Sequence, residues 1–144
     1  MAKITQQTVA AWRRNPMSFV MSLTIPGASG DVRFGDAMAE HQVHDFRHML
    51  SAVQSIAQNE LPRVRNLWIE RTKKSSKDTD AAVVCLWLLL FATRAIEIVI
   101  AACDQDQAAE VRKRLQWLAD RNPWINDVIS VKKFTVTNTK TGSE

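Results

Sequence analysis

Glycine is scarce in this chain, with only 4 among 144 residues, and three of the four fall in the stretch TIPGASGDVRFGD at positions 24–36. That stretch, which also holds a proline, reads as a loop or an extended arm. Glycine adopts the left-handed backbone of tight turns more easily than any other residue. A phosphate-binding loop of the usual glycine-rich kind is therefore excluded from most of the chain.

Cysteine is also rare, and the two residues, Cys85 and Cys103, do not form a CxxC pair. Metal sites of the zinc-finger kind need closely spaced pairs, so a structural zinc site is not indicated. Both cysteines lie inside apolar runs. We therefore expect buried, reduced thiols, as in a cytosolic protein.

Long apolar runs are missing as well. The longest, AAVVCLWLLLFA at 81–92, stops at Thr93-Arg94 and is shorter than the ~20 residues that a bilayer-spanning helix needs. The first residues, MAKITQQTVAAWRRNP, lack the apolar core of a secretory signal. We expect a buried helix at 81–92 and no membrane association.

The remaining composition is that of an ordinary globular domain. Apolar residues make up 46% and charged residues 24% of the chain, the net charge is +4, and the pI is near 9.4. A length of 144 residues is enough for one hydrophobic core. The positive charge mildly favours a polyanionic partner.

Hydrophobic periodicity predicts strands that alternate with helices, which favours an α/β fold with a parallel sheet. The apolar segments VRNLWIE and IEIVIAAC are candidate buried strands. Asp36 is a candidate cap for the second helix, and Pro62 and Pro123 interrupt the chain. The predicted helices cover 5–14, 37–58, 78–93 and 104–122, and the predicted strands cover 64–70, 96–103 and part of 127–143.

The turn at 71–80, RTKKSSKDTD, lies between a predicted strand and a predicted helix. When the phosphate-loop pattern G-x-x-x-x-G-K-[ST] is aligned on Lys77, Arg71 and Ser76 take the two glycine positions and Asp78 takes the Ser/Thr position. The context is nevertheless favourable, because free amides at a helix start attract phosphate. A solvated basic turn capped by Asp78 is the competing interpretation.

Two motifs, RTKKSSKDTD at 71–80 and ACDQDQA at 102–108, resemble the large terminase subunit of tailed bacteriophages. That family often carries a glycine-poor loop of the form R-x-K-G-x-S-K-D-x-D, and its next strand ends in A-x-D-x-D-Q-A. The upstream segments WRRNPMSFV and VRFGDAMAEHQVHDF are also similar to the family's N-terminal region. The matching residues are Arg71, Lys73, Ser76, Lys77, Asp78 and Asp80 in the first motif, and Ala102, Asp104, Asp106, Gln107 and Ala108 in the second.

The resemblance implies the N-terminal ATPase portion of a motor that packages viral double-stranded DNA in the host cytoplasm. The implied fold is an incomplete P-loop NTPase-like parallel sheet with flanking helices, preceded by an N-terminal helical arm. The corresponding division is an arm and helical region at 1–60 and the front part of the ATPase core at 61–144. ATP and Mg²⁺ are the implied ligands, and the portal and the small terminase subunit are the implied protein partners.

The resemblance also implies roles for single residues in and around the turn. Lys77 would contact the β- and γ-phosphates, and Asp78 or Thr79 would lie on the Mg²⁺ side. Arg71 would act in cis on the γ-phosphate, with Lys73 as a rival for that role. The backbone that would cradle the phosphates belongs to Lys73, Lys74, Ser75 and Ser76, and Lys74 takes the place of a glycine.

Two glutamines outside the turn are further candidates by the same resemblance. Gln42 would contact adenine, and Gln107 would lie beside the nucleotide. The competing interpretations are a surface glutamine next to a core phenylalanine for Gln42, and a capped helix start with a solvent-facing side chain for Gln107.

The sequence lacks the second acidic element of such an ATPase, an apolar strand that ends in Asp-Glu, and it lacks a nuclease-type acidic cluster. We therefore expect the front part of a longer protein, or a split or decayed form, that hydrolyses ATP poorly if at all. Missing strands would leave an open sheet edge and promote self-association.

Two further hypotheses compete with the motor. A small basic α/β module could bind DNA or a viral partner protein without nucleotide, through the six basic residues at 63–77. A structural remnant would have no ligand.

Overall fold

The computed structural model describes residues 4–72 and 75–144 as helices joined by two short hairpins and by irregular segments. The helices are α1 Gln6–Arg14, α2 Pro16–Ser22, α3 Phe34–Ala37, α4 Glu40–Ala57, α5 Lys77–Phe91 and α6 Gln105–Arg121, with a 3-10 helix at Pro123–Asp127. The strands are β1 Thr24–Gly27, β2 Gly30–Arg33, β3 Ile129–Val131 and β4 Val136–Asn138.

Local capping explains the break between the first two helices. The Thr5 hydroxyl accepts a hydrogen bond from the Thr8 amide at 3.1 Å, which caps α1. Asn15 ends α1 and accepts from the Ser18 amide at 3.3 Å, which begins α2. Pro16 follows as the first residue of α2, where its missing N–H costs nothing. The chain therefore turns sharply at 15–16.

Helix α5 is the centre of the core, because it is apolar on almost every side. The Trp87 indole donates to the Trp12 carbonyl at 3.2 Å. Phe19 packs edge-on against Phe91, with ring centroids 5.6 Å apart. Side chains from both sides of the predicted division at residue 60 thus share one core. Helix α4 adds Phe46 and Leu50 to it, and helix α6 adds Leu115 and Leu118.

The glycine-rich stretch at 24–36 forms a hairpin followed by the short helix α3. β1 and β2 pair antiparallel from Thr24 opposite Arg33 to Gly27 opposite Gly30. Gly30 has φ 133°, a conformation that other residues rarely adopt, so a glycine is required at this turn. The Asn122 side chain accepts from the Thr24 amide and donates to the Thr24 carbonyl, which fixes the hairpin to the end of α6.

The predicted parallel sheet is wrong. Within residues 4–72 and 75–144 both sheets are two-stranded and antiparallel. The predicted strands at 64–70 and 96–103 are irregular and largely exposed, with Trp68 at 89% and Val99 at 78% of full exposure. Buried parallel strands need helices on both faces, whereas α5 here packs mainly against α4 and α6.

Sheet-like bonding of the 96–103 segment is confined to two backbone hydrogen bonds within the described residues. The Ile98 amide donates to the Glu144 carbonyl at 2.7 Å, and the Glu144 amide donates to the Ile96 carbonyl at 3.0 Å. The strand prediction for 127–143 is confirmed by the β3–β4 hairpin.

The four predicted helices are confirmed, with ends that shift by a few residues. Asp36 does not cap the second of them, because it lies in α3 and α4 begins only at Glu40. Helices of the described part of the chain are all too short or too polar to cross a bilayer.

The expectation of two buried cysteines holds in part. Cys85 is half-buried and Cys103 is exposed. Burial raises the pKa of the Cys85 thiol to about 11, so this thiol stays protonated and unreactive at neutral pH.

Candidate functional site

The residue directly before α5, the last of the turn, has a left-handed backbone. Ser76 has φ 62° and ψ 17° and directly precedes the helix. Few residues other than glycine adopt positive φ, and such conformations are concentrated at functional sites. Ser76 is also the residue that takes the second glycine position of the phosphate-loop pattern. The turn therefore has a glycine-like conformation without a glycine.

A left-handed residue followed by a helical one brings successive amides together into a small concave surface that attracts anions. The amides of Ser76, Lys77 and Asp78 follow this geometry. They have no acceptor among the described residues, and no side chain caps the helix start. The start of α5 thus presents amides without a side-chain cap at the positive end of the helix dipole.

Arg71 anchors the turn to the helical core through a buried ionic network. Its guanidinium Nη1 donates to Asp80 Oδ2 at 2.5 Å, and its Nη2 donates to Asp45 Oδ2 at 2.6 Å. The side chains of Arg71 and Asp80 are only 7% and 3% exposed. Because Asp45 lies on α4 and Asp80 on α5, one guanidinium joins the turn to both helices.

Gln42 completes this network from α4. Its Nε2 donates to Asp80 Oδ1 at 2.8 Å, and its Oε1 accepts from the Ala39 amide at 3.0 Å. The interpretation as a surface glutamine is wrong, because Gln42 is buried. Its predicted contact with adenine stays a prediction, and the structure shows that both ends of its amide already have a protein partner.

The two carboxylates of the network have opposite pKa shifts. Burial raises the pKa of Asp80, and the hydrogen bonds from Arg71 and Gln42 offset this only in part. Burial also disfavours the charge on Asp45, but the hydrogen bonds from Arg71 and His44 outweigh it and lower the pKa of Asp45. Burial disfavours the charge on Arg71, but its hydrogen bonds to Asp80 and Asp45 outweigh this and raise the pKa of the guanidinium, which therefore remains charged.

The other described residues of the turn make local contacts or face solvent. The Lys77 ammonium folds back and donates to the Arg71 carbonyl at 3.2 Å. The Ser75 hydroxyl donates to the Thr72 carbonyl at 2.7 Å. Asp78 is exposed and Thr79 half-buried. Lys73 and Lys74 lie outside the described residues, so their predicted roles stay predictions.

Gln107 has no hydrogen bond to the turn among the described residues. Its Oε1 accepts from the Cys103 thiol at 2.9 Å, and its amide donates to Asp104 Oδ1 at 2.8 Å. Its predicted place beside a nucleotide remains a prediction. A groove of about 610 Å³ lies nearby, between α6 and the segments 97–100 and 133–136, and no residue of the turn lines it.

Sequence reasoning missed Asp45 and gave Asp80 no role of its own. A signal was present for both. Gln42 and Asp45 are three residues apart and share one face of α4. Asp80 precedes Val83 and Trp87 at helical spacing, so it lies on the buried face of α5. An acid on a buried face needs a cation, and Arg71 is the nearby candidate in sequence.

Comparison of the chain with protein families, with curated proteins and with solved structures finds no match. The terminase resemblance therefore stands on the two motifs and the similar upstream segments alone.

Proposed function

We propose that this chain binds the phosphates of ATP at the turn 71–80, as the nucleotide-binding part of a viral DNA-packaging motor. The observation that supports this best is the left-handed Ser76 followed by helical Lys77. This pair directs consecutive amides into one concave surface, as phosphate-binding loops require. The turn thus provides the donor geometry that its missing glycines seemed to exclude.

Charge around the turn favours a phosphate group when a metal ion accompanies it. The Lys77 ammonium is exposed, donates to the Arg71 carbonyl of the same turn, and supplies a positive charge next to the helix start. Asp78 alone would repel a phosphate, but Mg²⁺ is commonly held by one or two carboxylates together with substrate phosphates. Asp78 and Thr79 fit that limited role. No cluster of three acidic, histidine or cysteine ligands exists in the described part of the chain, so a metal would depend on the nucleotide.

The wider assignment to a terminase motor is supported by the residues that its first motif shares with the turn. Arg71 and Asp80 form the buried ion pair, and Ser76 has the left-handed backbone. The Lys77 ammonium donates to the Arg71 carbonyl. Four of the six matched positions thus have a distinct part in the local structure. On this assignment viral double-stranded DNA, the portal and the small subunit are the partners.

The test is thermal unfolding with and without millimolar Mg-ATP. Ligand that binds the folded state at about 100 times its Kd stabilises it by about 2.7 kcal/mol. We expect a rise in Tm that Lys77→Ala abolishes and that the control Lys140→Ala, an exposed lysine away from the turn, leaves unchanged. An unchanged Tm of the unsubstituted chain at millimolar Mg-ATP contradicts the proposal.

Binding of DNA without nucleotide is the second candidate, and the exposed segment before the turn favours it. Arg63 and Arg65 are exposed there, and Trp68 is almost fully accessible. Basic side chains interleaved with an aromatic ring are typical of nucleic-acid surfaces. This candidate predicts a DNA affinity that falls steeply with salt and is insensitive to ATP. An affinity that does not change with salt contradicts it.

A further inference from the structure

Arg71 holds a backbone carbonyl of the turn as well as its two carboxylates. Its Nη1 donates both to Asp80 Oδ2 and to the Ser75 carbonyl, the latter at 3.1 Å. The C=O of Ser75 and the N–H of Ser76 belong to one planar trans peptide and point in opposite directions. Because the carbonyl faces the guanidinium, the amide of Ser76 faces away from it.

Asp45 fixes the orientation of that guanidinium. Asp45 Oδ2 accepts from Arg71 Nε at 3.0 Å and from Nη2 at 2.6 Å. Two bonds to one edge of a planar group set its plane as well as its position. Because Nε and Nη2 of Arg71 both donate to Asp45 of α4, Nη1 is left to donate to Asp80 and to the Ser75 carbonyl.

We propose that Asp45 is the positioning residue of the phosphate-binding turn. Through Arg71 it keeps the Ser75 carbonyl turned inward and the Ser76 amide, the first donor of the concave surface, turned outward. This inference rests on the proposed function, and it assigns Arg71 a role different from the one implied by resemblance. Arg71 stays with its carboxylates when phosphate binds and does not reach the γ-phosphate.

The first experiment compares the affinity for tripolyphosphate of the unsubstituted chain with that of three variants. Asp45→Asn removes the charge with little change of shape. Asp45→Glu restores the charge, and Glu40→Gln removes one exposed charge from the same helix. We expect Asp45→Asn to weaken binding about tenfold, the typical effect of losing one charge-assisted bond. Asp45→Glu should recover most of the affinity, and Glu40→Gln should have no effect.

Two results overturn different statements. If the unsubstituted chain does not bind tripolyphosphate, the proposed phosphate site fails. If it binds and Asp45→Asn binds equally well, the phosphate site stands and the role of Asp45 is refuted.

A second experiment needs no variant and covers the case in which Asp45→Asn does not fold. In an NMR titration of the isotope-labelled chain, tripolyphosphate should shift the amide signals of Ser76, Lys77 and Asp78. The Arg71 Nε–H signal should stay in place, because Asp45 continues to hold it. A large shift of the Arg71 signal would mean that the guanidinium leaves Asp45 for the phosphate, and the inference would be wrong.

Discussion

Helices α5 and α6 both follow an exposed extended segment and both have acidic residues in their first turn, yet their starts are built differently. Asp104 precedes α6 with an extended backbone, and its carboxylate accepts from the Gln107 amide at 2.8 Å. Ser76 precedes α5 with a left-handed backbone and caps nothing. The start of α6 is capped by a side chain of its own sequence, whereas the start of α5 has no side-chain cap.

The difference arises from where each start is anchored. α6 begins at a local cap that joins residues three positions apart, which is a common and self-sufficient device. α5 begins at a turn that is anchored from the side by the Asp45–Arg71–Asp80 network. This tertiary anchor leaves the start of the helix without a side-chain cap, and in that sense the start is open. Such an open start is the arrangement that a phosphate-binding turn needs.

The largest expected effect is the loss of that anchor. Arg71→Ala leaves Asp80 buried without a cation, and breaking a buried ion pair in this way typically costs about 3–5 kcal/mol of unfolding free energy. Urea denaturation measures the loss. Arg121→Ala is the matched control, since it removes the exposed pair with Asp31, worth about 0–1 kcal/mol. Equal losses in the two variants would show that the network contributes no special stability.

The next expected effect separates the two helix starts directly. Asp104→Ala removes a cap bond and should cost about 1 kcal/mol. Ser76→Ala removes a side chain that makes no cap bond, so we expect almost no change in the free energy of unfolding. Chemical denaturation of both variants at neutral pH measures the difference. A larger loss for Ser76→Ala would mean that the serine hydroxyl supports the turn.

The left-handed backbone at Ser76 gives a third and smaller effect. A non-glycine residue there carries a conformational cost that Ser76→Gly removes, so this variant should be more stable by up to about 1 kcal/mol. Ser75→Gly is the control, because Ser75 does not have a positive φ; it should be neutral or destabilising. Destabilisation by Ser76→Gly would indicate that the turn is not strained.

Sequence reasoning located the helices and the last hairpin because periodicity and caps are local signals. It failed for 64–70 and 96–103, since an apolar extended segment becomes a strand only if a partner pairs with it. Trp68 and Val99 show the outcome, because both are strongly exposed. For the candidate site, the pattern identified Ser76 and Lys77. It could not reveal that Arg71 bonds to Asp45, because that contact joins residues 26 positions apart.

The smallest expected effect is a pH dependence of opposite sign for the two carboxylates that bind Arg71. Burial, only partly offset by Arg71 and Gln42, raises the pKa of Asp80 above its ordinary 3.8. Its contribution to stability is therefore present below pH 3.8 and is lost as pH rises through the raised pKa. Replacing Asp80 by Asn should remove this decline.

Asp45 should behave in the reverse manner. Burial opposes its charge, but Arg71 and His44 lower its pKa below 3.8, so its contribution is present above that pH and is lost as pH falls through the lowered pKa. We expect the Asp45→Asn variant to lose stability relative to the unsubstituted chain as pH rises, and Asp80→Asn to gain it. Urea titrations at several pH values between about 3 and 6 measure both differences. If the stability differences of the two variants change with pH in the same direction, Asp80 is held as firmly ionised as Asp45. The anchor of α5 is then a fully charged network.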